Sequence, residues 1–273
     1  MLTIELVCIA LLALSAMLRW RVPGSREWLA DAPIVALGAL IGEDSCIRLY
    51  GFYSYAEGWH AVLDVTPALI PLIWIFVVLS ARDVARELGP RAPLGWAFVI
   101  ILFDAALIEP IATSSGLWRW TQPGPFAVPY IGIVGWAFYG GSILFWLGRL
   151  RGKLRWLAVV LAPLTTHVLL IASWWLCFRW IGREAPTPTV LVAGAWVTAV
   201  SMAMALVATR KSGTVPLAIL VPRICPAVFF AVLLETRHAC PALWAYAASF
   251  PIPWVMATAF PLGSSLASSR VRR

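Results

Sequence analysis

The sequence predicts an all-α fold: a polytopic integral membrane helical bundle of about nine transmembrane helices, with its N-terminus outside and its C-terminus inside. Three observations predict it. Of 273 residues, 61% are hydrophobic and 12% charged, far from the balance of an ordinary soluble domain. Apolar runs of roughly 20 residues, the length that crosses a hydrocarbon core, recur along the whole chain. The basic residues fall between those runs in an alternating pattern. With the first connection inside, the inner connections hold Arg19, Arg21, Arg26, Arg82, Arg86, Arg91, Arg149, Arg151, Lys153, Arg155, Arg210, Lys211, Arg270, Arg272 and Arg273. The outer connections hold Arg119, Arg179, Arg183 and Arg237, and Arg48 and Arg223 lie within spans. That bias follows the positive-inside rule, and an eight-span reading would break the alternation.

The spans begin near Leu2, Ala32, Trp59, Leu94, Tyr130, Trp156, Thr189, Thr214 and Pro241. The first lacks the basic n-region of a secretory signal and carries Glu5 instead, so it reads as a retained span. The second ends in Ile41–Tyr55, which places two acids and an arginine in apolar sequence. The third is interrupted by Pro67 and Pro71. The fourth contains Asp104 and Glu109, followed by Pro110. The sixth carries Pro163 and His167; the eighth carries Pro216, Pro222, Arg223 and Pro226; the ninth carries Pro251 and Pro253. Prolines remove helix hydrogen bonds and kink the rod, leaving crevices suited to a long apolar substrate. Connections are short and no internal repeat stands out, so residues 1–273 read as a single integral membrane domain. The net charge of +8 is then topology and attraction to inner-surface lipid, and no nucleic-acid partner is expected.

Composition also excludes chemistries. Lys153 and Lys211 lie in basic loops, so no span offers a Schiff-base lysine. His60, His167 and His238 are isolated and cannot build a multi-histidine iron site. No repeated aspartate motif suits magnesium diphosphate, and no Gly-rich phosphate loop follows a strand. Cys8, Cys46, Cys177, Cys225 and Cys240 have no C-x-x-C spacing, and buried free thiols are expected. No metal and no cofactor is expected.

The intramembrane acids remain. Each costs about 2.5–3.5 kcal/mol at a helix centre, so each should serve a network or a reaction. Asp44 and Arg48 are four apart, acid first, the spacing of a structural ion pair. Glu43 lies about 100° round the helix, in line with Ile47 and Tyr50, with no partner in its own helix. Desolvation suits it to donate a proton; the alternative is packing against Arg223. Asp104 and Glu109 lie about 140° apart, so an undistorted helix cannot aim both at one point, and Pro110 disfavours helical geometry at Glu109. Asp104 fits an interhelical hydrogen bond as well as it fits chemistry. Glu43, Asp64 and Glu109 all fall in the outer half of the membrane, where a shared pocket could form.

Sixteen tryptophans are explained mostly by interfacial anchoring, as at Trp118, Trp120 and Trp174–Trp175. Tyr50, Phe52, Tyr53 and Tyr55 differ because they follow the acids directly. An acid beside aromatic faces in a dry pocket suits protonation of an alkene and shelter of the resulting cation. His167 reads as a satisfied packing residue.

The order of these pieces resembles a known family. An acid is followed by Gly51-x-Tyr53-x-Tyr55, a Pro-rich third span, Glu109–Pro110, Gly116-x-Trp118-x-Trp120, Pro129 and Gly135–Trp136. Over Gly42 to Trp136 this resembles the carotenoid biosynthesis membrane proteins that include the carotenoid hydratases. It departs from their pattern at Cys46–Ile47–Arg48 and at Gly132, where an asparagine is usual. The resemblance implies acid-catalysed addition of water to a terminal alkene of an acyclic carotenoid or related polyisoprenoid, without a redox cofactor. It implies catalytic roles for Glu43, Glu109 and Asp104, and substrate contacts from Tyr50, Tyr53, Tyr55, Trp118, Trp120 and Trp136. It also implies a bacterial inner (cytoplasmic) membrane, the lipid bilayer as surroundings, and association with other membrane enzymes of the pathway. A cyclase-like end-group reaction and a non-enzymatic lipid carrier or transport component stay open as alternatives.

Overall fold

The computed structural model describes residues 1–21, 24–88, 92–181, 186–209, 217–237 and 240–259. Arg91, Arg183, Arg210, Lys211, Pro216, His238, Arg270, Arg272 and Arg273 lie outside the described residues, as does the expected start of the eighth span at Thr214. The long helices are α1 (Leu2–Trp20), α2 (Ser25–Tyr50), α3 (Leu69–Leu88), α4 (Pro93–Ser114), α5 (Tyr130–Arg149), α6 (Ala158–Ser173), α7 (Pro188–Thr209) and α8 (Leu217–Thr236). Two short helices follow, α9 (Pro241–Ala247) and α10 (Pro251–Ala259). A 3-10 turn over Gly152–Leu157 leads into α6, and a π turn over Trp174–Phe178 ends it.

Among the described residues, six segments are long and apolar enough to cross a membrane: α1, α4, α5, the continuous run Gly152–Phe178, and the apolar stretches of α7 and α8. The second and third expected spans form helices of 26 and 20 residues, but their charged residues set them apart from those six. The third helix begins at Leu69, not Trp59, because strands β2 (Val62–Leu63) and β3 (Thr66–Pro67) form a small hairpin first. The ninth expected span is divided at Ala248–Phe250 into two helices of 7 and 9 residues. Proline does not end α4: the helix runs through Pro110, and Glu109 stays helical. In a membrane helix, neighbouring elements can satisfy the freed carbonyl.

Helices α2 to α6 form a closed ring, each packed on the next and α6 packed back on α2. Outside it, α8 packs on α1, α3 and α4, while α7 packs on α9 and α10. Apolar side chains such as Val35, Val78, Leu79, Ile101 and Ile143 are fully buried within the ring. Gly140 permits the tight α4–α5 approach, since a Cβ there would meet Ile101 Cδ1 at 2.3 Å.

One end of the ring is tied by ions. Asp31, wholly buried in α2, accepts from Arg82 Nη1 at 2.5 Å and from Arg155. Arg19 Nε donates to Asp83 at 2.9 Å, and Arg86 forks onto Glu27 at 2.9 and 3.0 Å. Four arginines expected on one membrane side therefore meet at one end, across α1, α2, α3 and the turn before α6. The acid-bearing end of α2 is about 18 Å away, from a rise of 1.5 Å over each of the residues separating Asp31 from Glu43.

Two three-residue strands cover that other end. β1 (Tyr53–Tyr55) pairs antiparallel with β4 (Trp118–Trp120), with Tyr53 opposite Trp120 and Tyr55 opposite Trp118. Each strand follows an acid-bearing helix through a left-handed glycine. Gly51 (φ 59°) caps α2, its N–H donating to Ile47 O at 2.9 Å; Gly116 (φ 71°) turns the chain after α4. Only glycine takes that conformation without strain.

Candidate functional site

The ring encloses a cavity of about 120 Å³ beneath the paired strands. Each ring helix contributes a side chain to it: Glu43 from α2, Trp74 from α3, Glu109 from α4, Trp136 and Tyr139 from α5, His167 from α6. Side chains alternate along a strand, so Tyr53 and Tyr55, with Trp118 and Trp120 opposite, all point into it. Ser54 and Arg119 face away, joined by Arg119 Nε donating to Ser54 Oγ at 3.1 Å.

Each carboxyl is held by three neutral donors. Tyr53 and Tyr55 hydroxyls donate to Glu43 Oε2, the second at 2.9 Å, and Trp74 Nε1 donates to Oε1 at 2.7 Å. Trp118 and Trp120 Nε1 each donate to Glu109 Oε2 at 2.8 Å, and Trp136 Nε1 donates to Oε1 at 2.7 Å. The two cages interlock through ring contacts. Tyr53 lies on Trp120 with centroids 4.8 Å apart, Tyr55 meets Trp118 edge-on at 6.0 Å, and Trp74 lies on Trp136 at 4.6 Å. Every pair joins a donor of Glu43 to a donor of Glu109. Among the described residues, no lysine or arginine lines the cavity.

Burial, and then the Glu43 carboxyl beside them, push the Tyr53 and Tyr55 phenols well above their ordinary range. Both stay protonated and remain able to donate. Gly132, where the family pattern departs, makes room for the cage: a Cβ there would stand 2.6 Å from Trp120 Cη2 and Cζ2. Any larger residue would displace Trp120 from Glu109.

The other expected site residues are placed elsewhere. Tyr50 does not line the cavity; its hydroxyl meets His167 Nδ1 at 2.9 Å and its ring stacks on Phe52 at 4.9 Å. His167 Nε2 meets Ser45 Oγ at 2.8 Å, so the imidazole is held at both nitrogens while it lines the cavity wall. Arg48 pairs with Asp64 of the hairpin, Nε donating to Oδ2 at 2.6 Å, and not with Asp44. Arg48 thereby holds the Asp64 carboxyl below its usual range. Asp44 instead accepts from Thr66 Oγ1 at 2.6 Å. Helical spacing allowed the expected pair, but a hairpin acid 16 residues further on offers a two-pronged contact. Asp104 faces a different cavity, where it pairs with Arg223, whose Nη1 also donates to Ser80 Oγ at 3.1 Å. Arg223 is thus engaged by Asp104 and not by Glu43. Trp74 does not stand out in the sequence; it is the sixth residue of α3 and meets Glu43 only across the fold. The cysteines are free; Cys8 is buried, whereas Cys177 and Cys240 are exposed on the protein surface, contrary to expectation.

Membrane-length helices around an apolar cavity with buried acids define a polytopic integral membrane protein whose ligand is hydrophobic. Residues 3–195 match the model of the carotenoid biosynthesis protein family, and the chain belongs to that family. The match extends the Gly42–Trp136 resemblance in both directions and takes in both acids and both strands. It gives the protein a role in carotenoid biosynthesis at the membrane. Neither curated proteins nor solved structures returned a match.

Proposed function

We propose that the protein is a hydratase-like enzyme that adds water across a terminal double bond of an acyclic carotenoid or related polyisoprenoid. The supporting observation is the chemical difference between the two carboxyl cages. An indole N–H can only donate, whereas a phenol can donate or accept. Glu109, bonded to three indoles, is suited to stay a carboxylate. Glu43, bonded to two phenols, can carry a proton and give it to one of them in the hydrogen-bond network. Two carboxyls whose surroundings favour opposite protonation states divide the acid and base roles.

In the proposed reaction Glu43 transfers its proton to the less substituted alkene carbon, and the π pair forms the new C–H bond. The tertiary cation then lies against the faces of Tyr53 and Trp120 and near the Glu109 carboxylate. Water attacks the cationic carbon, Glu109 takes the proton released, and a neutral tertiary alcohol results. Return of that proton to Glu43 restores the starting state. Asp104, neutralised by Arg223 in another cavity, is given no step.

Co-expression with a lycopene-forming pathway tests the proposal. Chromatography should reveal a pigment heavier by one water, lost on Glu43→Gln by on the order of a hundredfold or more. An isomer of unchanged mass would make the reaction a cyclisation. Unchanged pigment across several acyclic substrates, with the protein well expressed, would reject the activity.

A further inference from the structure

A second cavity, about 550 Å³, adjoins the first. Cys8, Ile73, Ile108, Phe229 and Phe230 line both, so a partition one side chain thick divides them. Its volume lies in the ordinary range for a small-molecule site. Helices α1, α3 and α4 form one wall; α8, α9 and α10 form the other. The second wall lies beyond the family-matched residues 3–195.

The lining is hydrocarbon-like. Among the described residues its one charged pair, Asp104 and Arg223, neutralises itself, and the Trp254 ring covers the guanidinium with its centroid 4.7 Å from Cζ. A charged headgroup would find no free counter-charge among the described residues that line it. An uncharged chain would lose no hydrogen bonds on entering, and burying it is favourable by about 25 cal/mol for each Å² of apolar surface.

We propose that this chamber binds the polyisoprenoid chain behind the reacting end, with Phe229 and Phe230 of α8 as the side chains that the chain must pass. The acid cavity holds little more than an end group, so a long substrate needs a continuation, and the chamber across the partition supplies it. The C-terminal helices then determine which chain lengths the protein accepts, while the acids determine the chemistry. Like the proposed hydration, this takes the substrate to be a long acyclic polyisoprenoid, but it concerns binding and needs no turnover.

Lycopene is achiral, so a visible circular dichroism band reports pigment held by protein rather than dissolved in lipid. Full-length protein in nanodiscs should induce such a band on titration with lycopene. Filling the chamber by Ala227→Trp in α8 should weaken binding by about tenfold or more, a loss of about 1.4 kcal/mol. Ala248→Leu, from the facing wall after α9, should also weaken it, and covers the case in which Ala227→Trp does not fold. The proposal is overturned if folded variants bind lycopene as the wild type does. It is equally overturned if the wild type gives no band and mass spectrometry finds the chamber filled by a co-purified acyl lipid. Lycopene binding that obeys these expectations, without any water adduct, would reject the hydration and leave the chamber assignment standing.

Discussion

Glu43 and Glu109 are the same residue type in the same cavity, and their neighbours make them different. An amide at position 43 can keep a hydrogen bond to each partner, because its NH2 can donate to the two tyrosine oxygens, which accept once their own hydrogens turn away, while its carbonyl accepts from Trp74. An amide at position 109 must aim its NH2 at an indole N–H. Glu43→Gln should therefore leave thermal stability nearly unchanged, while Glu109→Gln should lower it by about 1–3 kcal/mol, the cost of an unsatisfied buried donor. Equal melting shifts would remove the argument for divided roles. The phenols carry a pH prediction of the same scale. Their folded-state pKa is raised, so the stability they contribute is complete below the unfolded value of about 10 and is lost as pH rises through the higher folded value. Wild type and a Tyr53→Phe/Tyr55→Phe variant should thus develop equal phenolate absorbance through the ordinary tyrosine range. Much of this scale was legible in the chain: both acids and five of the six cage donors stand out, and the angle between Asp104 and Glu109 foretold that they would face different places. Partners across folded space are not legible, so neither Asp64 as the partner of Arg48 nor Trp74 as a donor to Glu43 stands out in the sequence.

At the scale of elements, the aromatic strand pair sets the geometry. β1 and β4 are three residues each, too short to be read as strands between membrane helices, yet Tyr-x-Tyr and Trp-x-Trp carry the two-residue period of a pleat. Their partnership is a tertiary contact between residues about 65 apart, so nothing local in the sequence announces it. Helix α5 supports the strand pair through Gly132, which lies against Trp120. Gly132→Ala should push Trp120 aside, costing about 1–3 kcal/mol as overpacking usually does. It should also change the tryptophan emission of the folded protein. An unaltered spectrum at unaltered stability would mean that Trp120 has room that the 2.6 Å approach denies. The expected third span shows the opposite error: Trp59 to Ala68 is apolar enough to join a helix, but its own hairpin bonds, including Ala68 N–H to Ala61 O at 2.8 Å, take it first.

At the scale of the molecule, α2 to α6 close on themselves with the acids at one end and the ion network at the other. Asp31 is the hinge of that network because two arginines from separate elements share it. Asp31→Asn should destabilise the folded protein by about 3–5 kcal/mol, the cost of stranding buried charge, and thermal unfolding in detergent would measure it. A shift below a kcal/mol would make the cluster incidental. The sequence indicated the helical class and the gathering of basic residues between spans. It did not indicate which helices touch, because apolar faces of equal character can pack against one another or against lipid.

The folded unit continues beyond the family-matched residues. The family match ends at residue 195, yet Arg223 of α8 reaches back to Asp104 of α4. A gene fragment cut at that boundary would keep every cage residue and still leave Asp104 without its counter-ion, in helix α4 whose neighbouring wall had been removed. Homology-guided truncation is thus the wrong way to obtain a minimal version of this protein: the apparently dispensable tail supplies the charge that makes the shared part tolerable in a bilayer.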